Sequence, residues 1–440
     1  MANYSRKLAP FEEEFELYQT EVEGAGLVAC LMRVRGSLEI RVIKQSLSLL
    51  QQHHPYLQMH IVKNTDGMYF EAKEASEIPL RIIERNRGNQ WLEVIEEELN
   101  HKIDSRQGPL IKSAYIPAAI GSDIFDLIFT IHHSISDGAS LIQLCREFLD
   151  YCARITEGEQ LKVERLPMTP PVEQLLPRSK TALQFGIFLF ILKFILNQLL
   201  KKPRQLSYDI YCPVSEQKVR LINLCLNEKQ TKQLCKLCNQ ERTTVTGALN
   251  AAMLLTFKNE LAIAGNVYIN AAIAVNLRQF IQSEFAQQHH LGLMAGSIFM
   301  TEFISNNSSF WEIARNSRQK IEQGLQSHQH FYAPLAARDR IGSFKKGRIL
   351  PLAYILSNMG QINQGANYGS LELIDNHITA SSRSYNPSFV LHCTTFRSRL
   401  YLNFSYNEPL ISAKRAQSLA DFFMSAIDKA IGKPLINKKA

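Results

Sequence analysis

The sequence is short of the features that would assign it quickly. It has only two tryptophans and eight scattered cysteines, and no long internal repeat. Cys235 and Cys238 are spaced as a metal pair with Cys225 upstream, but a fourth ligand at zinc spacing is missing. Both cysteines fall with Leu234 in a helical pattern, so buried helix packing is the expected role. A secretory signal is not read at the start, where Met1 to Pro10 is polar and Phe11 to Glu14 acidic. A reducing cytoplasm is therefore the expected compartment. Charge of one sign is also scarce, because 49 basic against 41 acidic residues leave a net charge of only +8. No aromatic-basic stacking pattern accompanies that excess, so nucleic acid is excluded as an expected partner. An anionic partner such as coenzyme A phosphates, an acidic carrier protein or a lipid headgroup surface fits better.

What is present is ordinary globular composition, 45% hydrophobic and 20% charged over 440 residues, enough for two sizeable cores. The stretch that carries chemistry is His132-His133-Ser134-Ile135-Ser136-Asp137-Gly138. Before it, Ile124 to His133 alternates as a strand. After it, Leu141, Cys145, Phe148, Leu149 and Cys152 fall on one helical face, with Ser136 or Asp137 placed to cap the first turn. The two histidines therefore point opposite ways from a strand-to-helix turn. A neutral imidazole there can take a proton from a hydroxyl or amine, an effect worth roughly 10²- to 10⁴-fold. Asp137 is suited to fix the turn through backbone N–H groups or an arginine, and Gly138 gives backbone freedom or room for a close approach. The bland alternative is a buried histidine pair with Asp137 acting only as a cap.

Two other histidine pairs lack this context. In His53-His54, Pro55 ends the helix and no acid follows at the right spacing, so a structural role is expected. His289-His290 lacks a following acid and glycine and reads as loop or packing.

The heptapeptide resembles the HHxxxDG signature of the superfamily containing nonribosomal peptide condensation domains, alcohol acetyltransferases, mycobacterial polyketide-associated acyltransferases and chloramphenicol acetyltransferase. Further segments are similar to that superfamily: His54, Pro55 and Leu57; Gly108-Pro109-Leu110; Asn276-Leu277-Arg278; and Ser357-Asn358-Met359-Gly360. The plant-type DFGWG segment is absent. The resemblance implies a mixed α/β fold of two chloramphenicol acetyltransferase-like subdomains facing across a channel. It divides the chain into residues 1–165, a linker at 166–205 and residues 206–440. It makes His133 the catalytic histidine, supported by His132, and gives Asp137 a structural role paired with Arg278 across the two halves. Ser357 or Asn358 is placed to donate to a developing oxyanion. The implied reaction moves an acyl group from a thioester, coenzyme A or acyl carrier protein, to an alcohol, with no bound cofactor or metal. An amide-forming stand-alone condensation enzyme and a noncatalytic relative that binds a membrane or partner are the other readings.

One stretch lies outside the resemblance. Leu183 to Leu200 holds 13 apolar residues in 18 and is followed by Lys201, Lys202 and Arg204. As a helix it spans about 27 Å, just short of a bilayer crossing. Gly186, Lys193 and Asn197 share a narrow face, the expected water-facing side of a helix lying in a membrane surface. Packing on the protein's own core or on a partner is the alternative, and a transmembrane span is the third reading.

Overall fold

The computed structural model describes residues 5–21, 26–72, 76–176, 180–262, 265–286, 290–346, 351–362, 365–381, 383 and 389–432. His289 lies outside them.

Strands up to the histidine motif are β1 (Ser5–Lys7), β2 (Leu27–Arg35), β3 (Met59–Asn64), β4 (Gly67–Ala72), β5 (Leu80–Ile82), β6 (Ile111–Ile116) and β7 (Ile124–His132). The remainder are β8 (Lys218–Leu226), β9 (Val267–Asn276), β10 (Ala295–Ile304), β11 (Tyr354–Gln361), β12 (Asn367–Tyr368), β13 (Leu371–Ala380), β14 (Phe389–Phe396) and β15 (Arg399–Glu408). They form two six-stranded mixed sheets, ordered β12-β13-β2-β7-β6-β5 and β10-β9-β11-β14-β15-β8, beside a small sheet β1-β4-β3. This is the two-sheet α/β architecture expected from the sequence.

The apolar pattern explains the layers. On the first sheet, the helix Ile40–His53 buries Val42, Ile43, Leu47 and Leu50. The helix Gly138–Thr156 buries Leu141, Leu144, Cys145, Phe148 and Cys152 beside it. Both stripes join one core with Phe125, Leu127, Phe129 and Ile131 of β7. Each fully buried large side chain of this kind contributes roughly 1.5–3 kcal/mol. A second core forms where Val245–Glu260 and Ala413–Ala430 cover the other sheet.

Chain order and space part company at β12 and β13. They come from the C-terminal half, yet β13 pairs with β2 over Glu372 to Ala380, inside the N-terminal sheet. The two halves are thereby stitched together, and the face of β2 and β13 is brought opposite β11 and β14.

Two packing expectations need correction. Cys238 is buried, but Cys235 is exposed. Leu234 and Cys238 are four apart and share the inner stripe of the helix Glu228–Gln240, whereas Cys235 is turned off it. The apolar segment is a helix, Lys180–Lys201, but its expected water-facing side is the wrong one. Gly186 and Asn197 are half-buried against the body while Lys193 is exposed, and the outward surface is apolar.

Candidate active site

The strand β7 ends at His132, and a single tight turn, His133–Ile135, redirects the chain into the helix that starts at Gly138. This turn separates the histidines. His132 is fully buried on the side away from the cavity described below. Its Nδ1 accepts from the Ser134 N–H at 3.2 Å, and its Nε2 lies 3.1 Å from Glu16 Oε2. It acts as a brace between the turn and the N-terminal helix Pro10–Glu21.

His133 lines the cavity. Its Nδ1 is 2.7 Å from the carbonyl oxygen of Ser136. A carbonyl can only accept, so Nδ1 carries the hydrogen, and in the neutral ring Nε2 keeps the lone pair. The Phe15 ring lies over the imidazole, centroids 4.2 Å apart and planes tilted by 31°. Burial pushes the His133 pKa below its ordinary value of 6.5, against the opposing pull of Asp137 and of the Ser136 carbonyl. The imidazole is therefore neutral at physiological pH.

Asp137 caps the helix by accepting from the Ser140 N–H at 2.9 Å. Its other oxygen takes the Arg278 guanidinium at 2.6 Å and the Met294 N–H at 2.9 Å. Arg278 also donates to Ser140 Oγ at 2.7 Å and to the Gly292 carbonyl at 3.1 Å. Both charges are buried, with side chains 4% and 7% exposed. Burial raises the Asp137 pKa, but Arg278 and the two amides outweigh it, so the net shift is downward. The cap and the inter-half bridge are thus one carboxylate doing both.

Gly138 answers the question left open between backbone freedom and close approach. A Cβ there would lie 2.9 Å from Met359 Sδ and 3.1 Å from Met359 Cε, so the glycine makes room for Met359 of the opposite sheet. On β11, alternation decides the fate of Ser357 and Asn358. Asn358 Nδ2 donates to Thr246 Oγ1 at 3.1 Å, and its Oδ1 accepts from the Gly360 N–H at 2.9 Å, so it is engaged with its own subdomain. Ser357 and Met359 project to the other side and line the cavity.

That cavity, of about 60 Å³, is walled by Val28, Ile378 and Ala380 from the first sheet, and by Ser357, Met359 and His392 from the second. His133 and Gly138 close it. Sequence reasoning missed His392. Its pKa is pushed down to about 4 by burial and by the neighbouring His133, and its Nε2 has no hydrogen-bond partner among the described residues. It is flanked on β14 by Leu391 and Cys393, and only a histidine between apolar neighbours could have flagged it. Phe15 carried no signal at all.

The pair His53-His54 finds the acid that the local sequence lacked. His54 Nε2 is 2.5 Å from Glu147 Oε2, and His53, His54 and Glu147 bring their ligand atoms within 4.8 Å of one another. This is the described group best composed to hold a metal ion. The His54–Glu147 bond already ties the end of the helix Ile40–His53 to the helix Gly138–Thr156, and His53 Nδ1 meets the Glu164 carbonyl of the segment beyond it at 2.5 Å.

The family model for the condensation domain matches this chain over residues 25–439. The chain belongs to the condensation-domain family. Among curated proteins it is 21% identical over 418 residues to the nonribosomal peptide synthetase kk1B of Curvularia clavata, covering 93% of this chain but only 3% of that much longer protein. It is 23% identical over 320 residues to the phthiocerol/phthiodiolone dimycocerosyl transferase of Mycobacterium leprae, covering 68% of each. Among solved structures it is similar to the trichothecene 15-O-acetyltransferase of Fusarium sporotrichioides. That match has a TM-score of 0.77 and 11% identity, over 98% of this chain and 96% of that one. The fold of this condensation-family chain is thus shared with transferases.

Proposed function

We propose that this chain is an acyltransferase that moves an acyl group from a thioester of coenzyme A or of an acyl carrier protein to the hydroxyl of a lipid or natural-product acceptor. The observation that carries the reading is the tie of His133 Nδ1 to Ser136, which leaves a neutral Nε2 on the cavity. In the proposed step Nε2 takes the acceptor's O–H proton while the oxygen attacks the thioester carbonyl carbon. The tetrahedral oxyanion collapses, the C–S bond breaks, and the departing thiolate takes the proton from Nε2. Ser357, on the facing strand, supplies a hydroxyl toward the developing oxyanion. Asp137 and Arg278 act through the turn, fixing its position between the two subdomains, and Gly138 keeps the approach clear. The ester-forming reading is preferred because two of the relatives are named for transfer of acyl groups, one of them to oxygen. The kinship with peptide synthetases keeps an amine acceptor in the same assay.

The test is thiol release from mixed acyl thioesters with a panel of lipid alcohols and amines, with products identified by intact mass. His133→Ala is expected to lose at least ~100-fold in rate while retaining its melting temperature. Turnover equal to the parent in that variant would remove the general base from the proposal. An ester absent while an amide accumulates would reassign the acceptor.

A further inference from the structure

The helix Lys180–Lys201 presents a surface that the acyl-transfer reading does not use. Nine of the fifteen exposed large hydrophobic side chains among the described residues lie on it: Phe185, Phe188, Leu189, Ile191, Leu192, Ile195, Leu196, Leu199 and Leu200. Exposure reaches 61–65% at Phe185, Phe188 and Leu199, and 80% at Leu200. Only 6% of the stretch Leu183–Lys201 is buried. Scattered apolar residues are normal on a protein surface, but a contiguous face of this kind marks an interaction site.

The helix is also firmly attached by its other side. Leu183 joins a core with Phe11, Leu277 and Tyr332. Phe190 packs against Phe299 of the edge strand β10 and against Tyr332, at centroid distances of 5.8 and 5.7 Å. At the far end Lys201 Nζ lies 5.5 Å from the Tyr268 ring, which in turn contacts the exposed Phe303 of β10 at 5.0 Å. The helix therefore lies against the face of β9 and β10 from which Phe299 and Tyr268 project. Packing on that face needs one apolar side, and this helix has apolar residues on the outer side as well.

We infer that the outer face of this helix docks the protein onto an anionic lipid bilayer, with the helix axis parallel to the membrane plane. Charge selects this occupant. The helix contains no acidic residue, and its charged groups Lys180, Lys193 and Lys201, with Lys202 and Arg204 just beyond, are all basic. A second copy of the chain would bring like charges together, whereas anionic headgroups complement them. Lys193 leaves the helix from the same narrow side as Gly186 and Asn197 but is exposed, so its stem can pass along the flank of the apolar face and place its ammonium at headgroup level. A membrane crossing is ruled against by the inner face, since spanning would strip Leu183 and Phe190 from their partners on the body.

The experiment is flotation of the whole 440-residue chain with vesicles of phosphatidylcholine alone and of phosphatidylcholine mixed with phosphatidylglycerol. The parent is expected to float with the mixed vesicles, and more weakly with neutral ones. The combined variant Phe188→Ser, Leu192→Gln, Ile195→Gln, Leu199→Gln is expected to lose at least ~100-fold in partition coefficient. Lys201→Gln with Lys202→Gln is expected to lose roughly fivefold per charge, on mixed vesicles only. Neither variant touches the cavity, so an unchanged melting temperature and unchanged thiol release from a soluble thioester confirm that only the surface was altered. Absence of flotation by the parent, or flotation unaffected by the four-residue variant, would overturn the inference. So would a parent dimer in sedimentation that the same variant dissociates without any vesicle binding. Because flotation is read without turnover, its result is independent of the acyl-transfer proposal.

Discussion

Replacing Arg278 by Met gives a stability cost whose size and pH dependence both follow from its contacts. The guanidinium is shared among Asp137 Oδ2, Ser140 Oγ and the Gly292 carbonyl. Its loss leaves Asp137 buried with two amide donors and no counter-charge, for which a cost of about 3–5 kcal/mol near neutral pH is expected. In the parent protein the Asp137 pKa is lowered in the fold, so its contribution to stability is fully present above the unfolded value of about 3.9 and is lost as pH falls through the lowered one. In the Met variant, burial loses its main opponent and the folded pKa rises above the unfolded value. The carboxylate then destabilises at neutral pH and is relieved by protonation as the solution is acidified. The gap between parent and variant should be widest near pH 7 and narrow toward pH 4. Urea unfolding of both proteins across that range measures it. Asp137→Asn in the Arg278→Met background should recover a substantial part of the loss near pH 7, because the amide oxygen can still accept from Ser140 without a buried charge. A cost under about 1 kcal/mol, or a gap independent of pH, would refute the argument.

Four further outcomes are expected. The rate of thiol release should rise with pH along a single limb whose midpoint lies below 6.5, because His133 acts as the neutral base and burial lowers its pKa. His392→Asn should leave that limb in place, since burial pushes the His392 pKa down to about 4, and a limb that moves to higher pH would contradict the assignment. Gly138→Ala should leave stability within about 1 kcal/mol while reducing activity by pushing the Met359 thioether into the cavity; Met359→Ala should restore turnover in that background. Gly296→Ala should instead destabilise the fold by several kcal/mol, roughly 3 or more, in a thermal melt, because the added Cβ meets the His330 backbone carbonyl, which cannot swing aside.

What could be read from the sequence was local or periodic. The change from two-residue to helical periodicity at His133-Ser134-Ile135 located the turn, since both patterns are written in adjacent residues. The partner of Asp137 could not be located that way, because Arg278 is 141 residues away, and only the similarity of Asn276-Leu277-Arg278 to a family segment proposed it. Where no such segment existed, the reading had nothing to work from. His392 reaches the cavity because β14 pairs in parallel with β11, setting Ser357 beside His392. Glu147 reaches His54 because two helices pack side by side on the first sheet. The choice between Ser357 and Asn358 needed only the alternation of β11, but which face meets the cavity depends on the sheet opposite. The return of β13 to the N-terminal sheet is equally invisible, being a pairing between residues more than three hundred positions apart.

The apolar helix shows why composition and orientation are separate questions. Its 13 apolar residues in 18 leave only a narrow polar side, and the sequence reading turned that side toward water. The body has the opposite need at its point of contact. A Cβ on residue 186 would lie 2.4 Å from Tyr332 Oη, so a glycine goes inward where the helix must come close. Asn197 is carried to the same side by the helical repeat, eleven residues on, while the long stem of Lys193 reaches solvent. With the polar side spent on the interior, the outer surface is left to leucine, isoleucine and phenylalanine. A helix needed only to shield β10 would gain solubility from polar residues at those outer positions, and nothing in its packing prevents them. Their apolar character is thus accounted for by something outside the chain, and the basic residues at its C-terminal end indicate the sign of that surface.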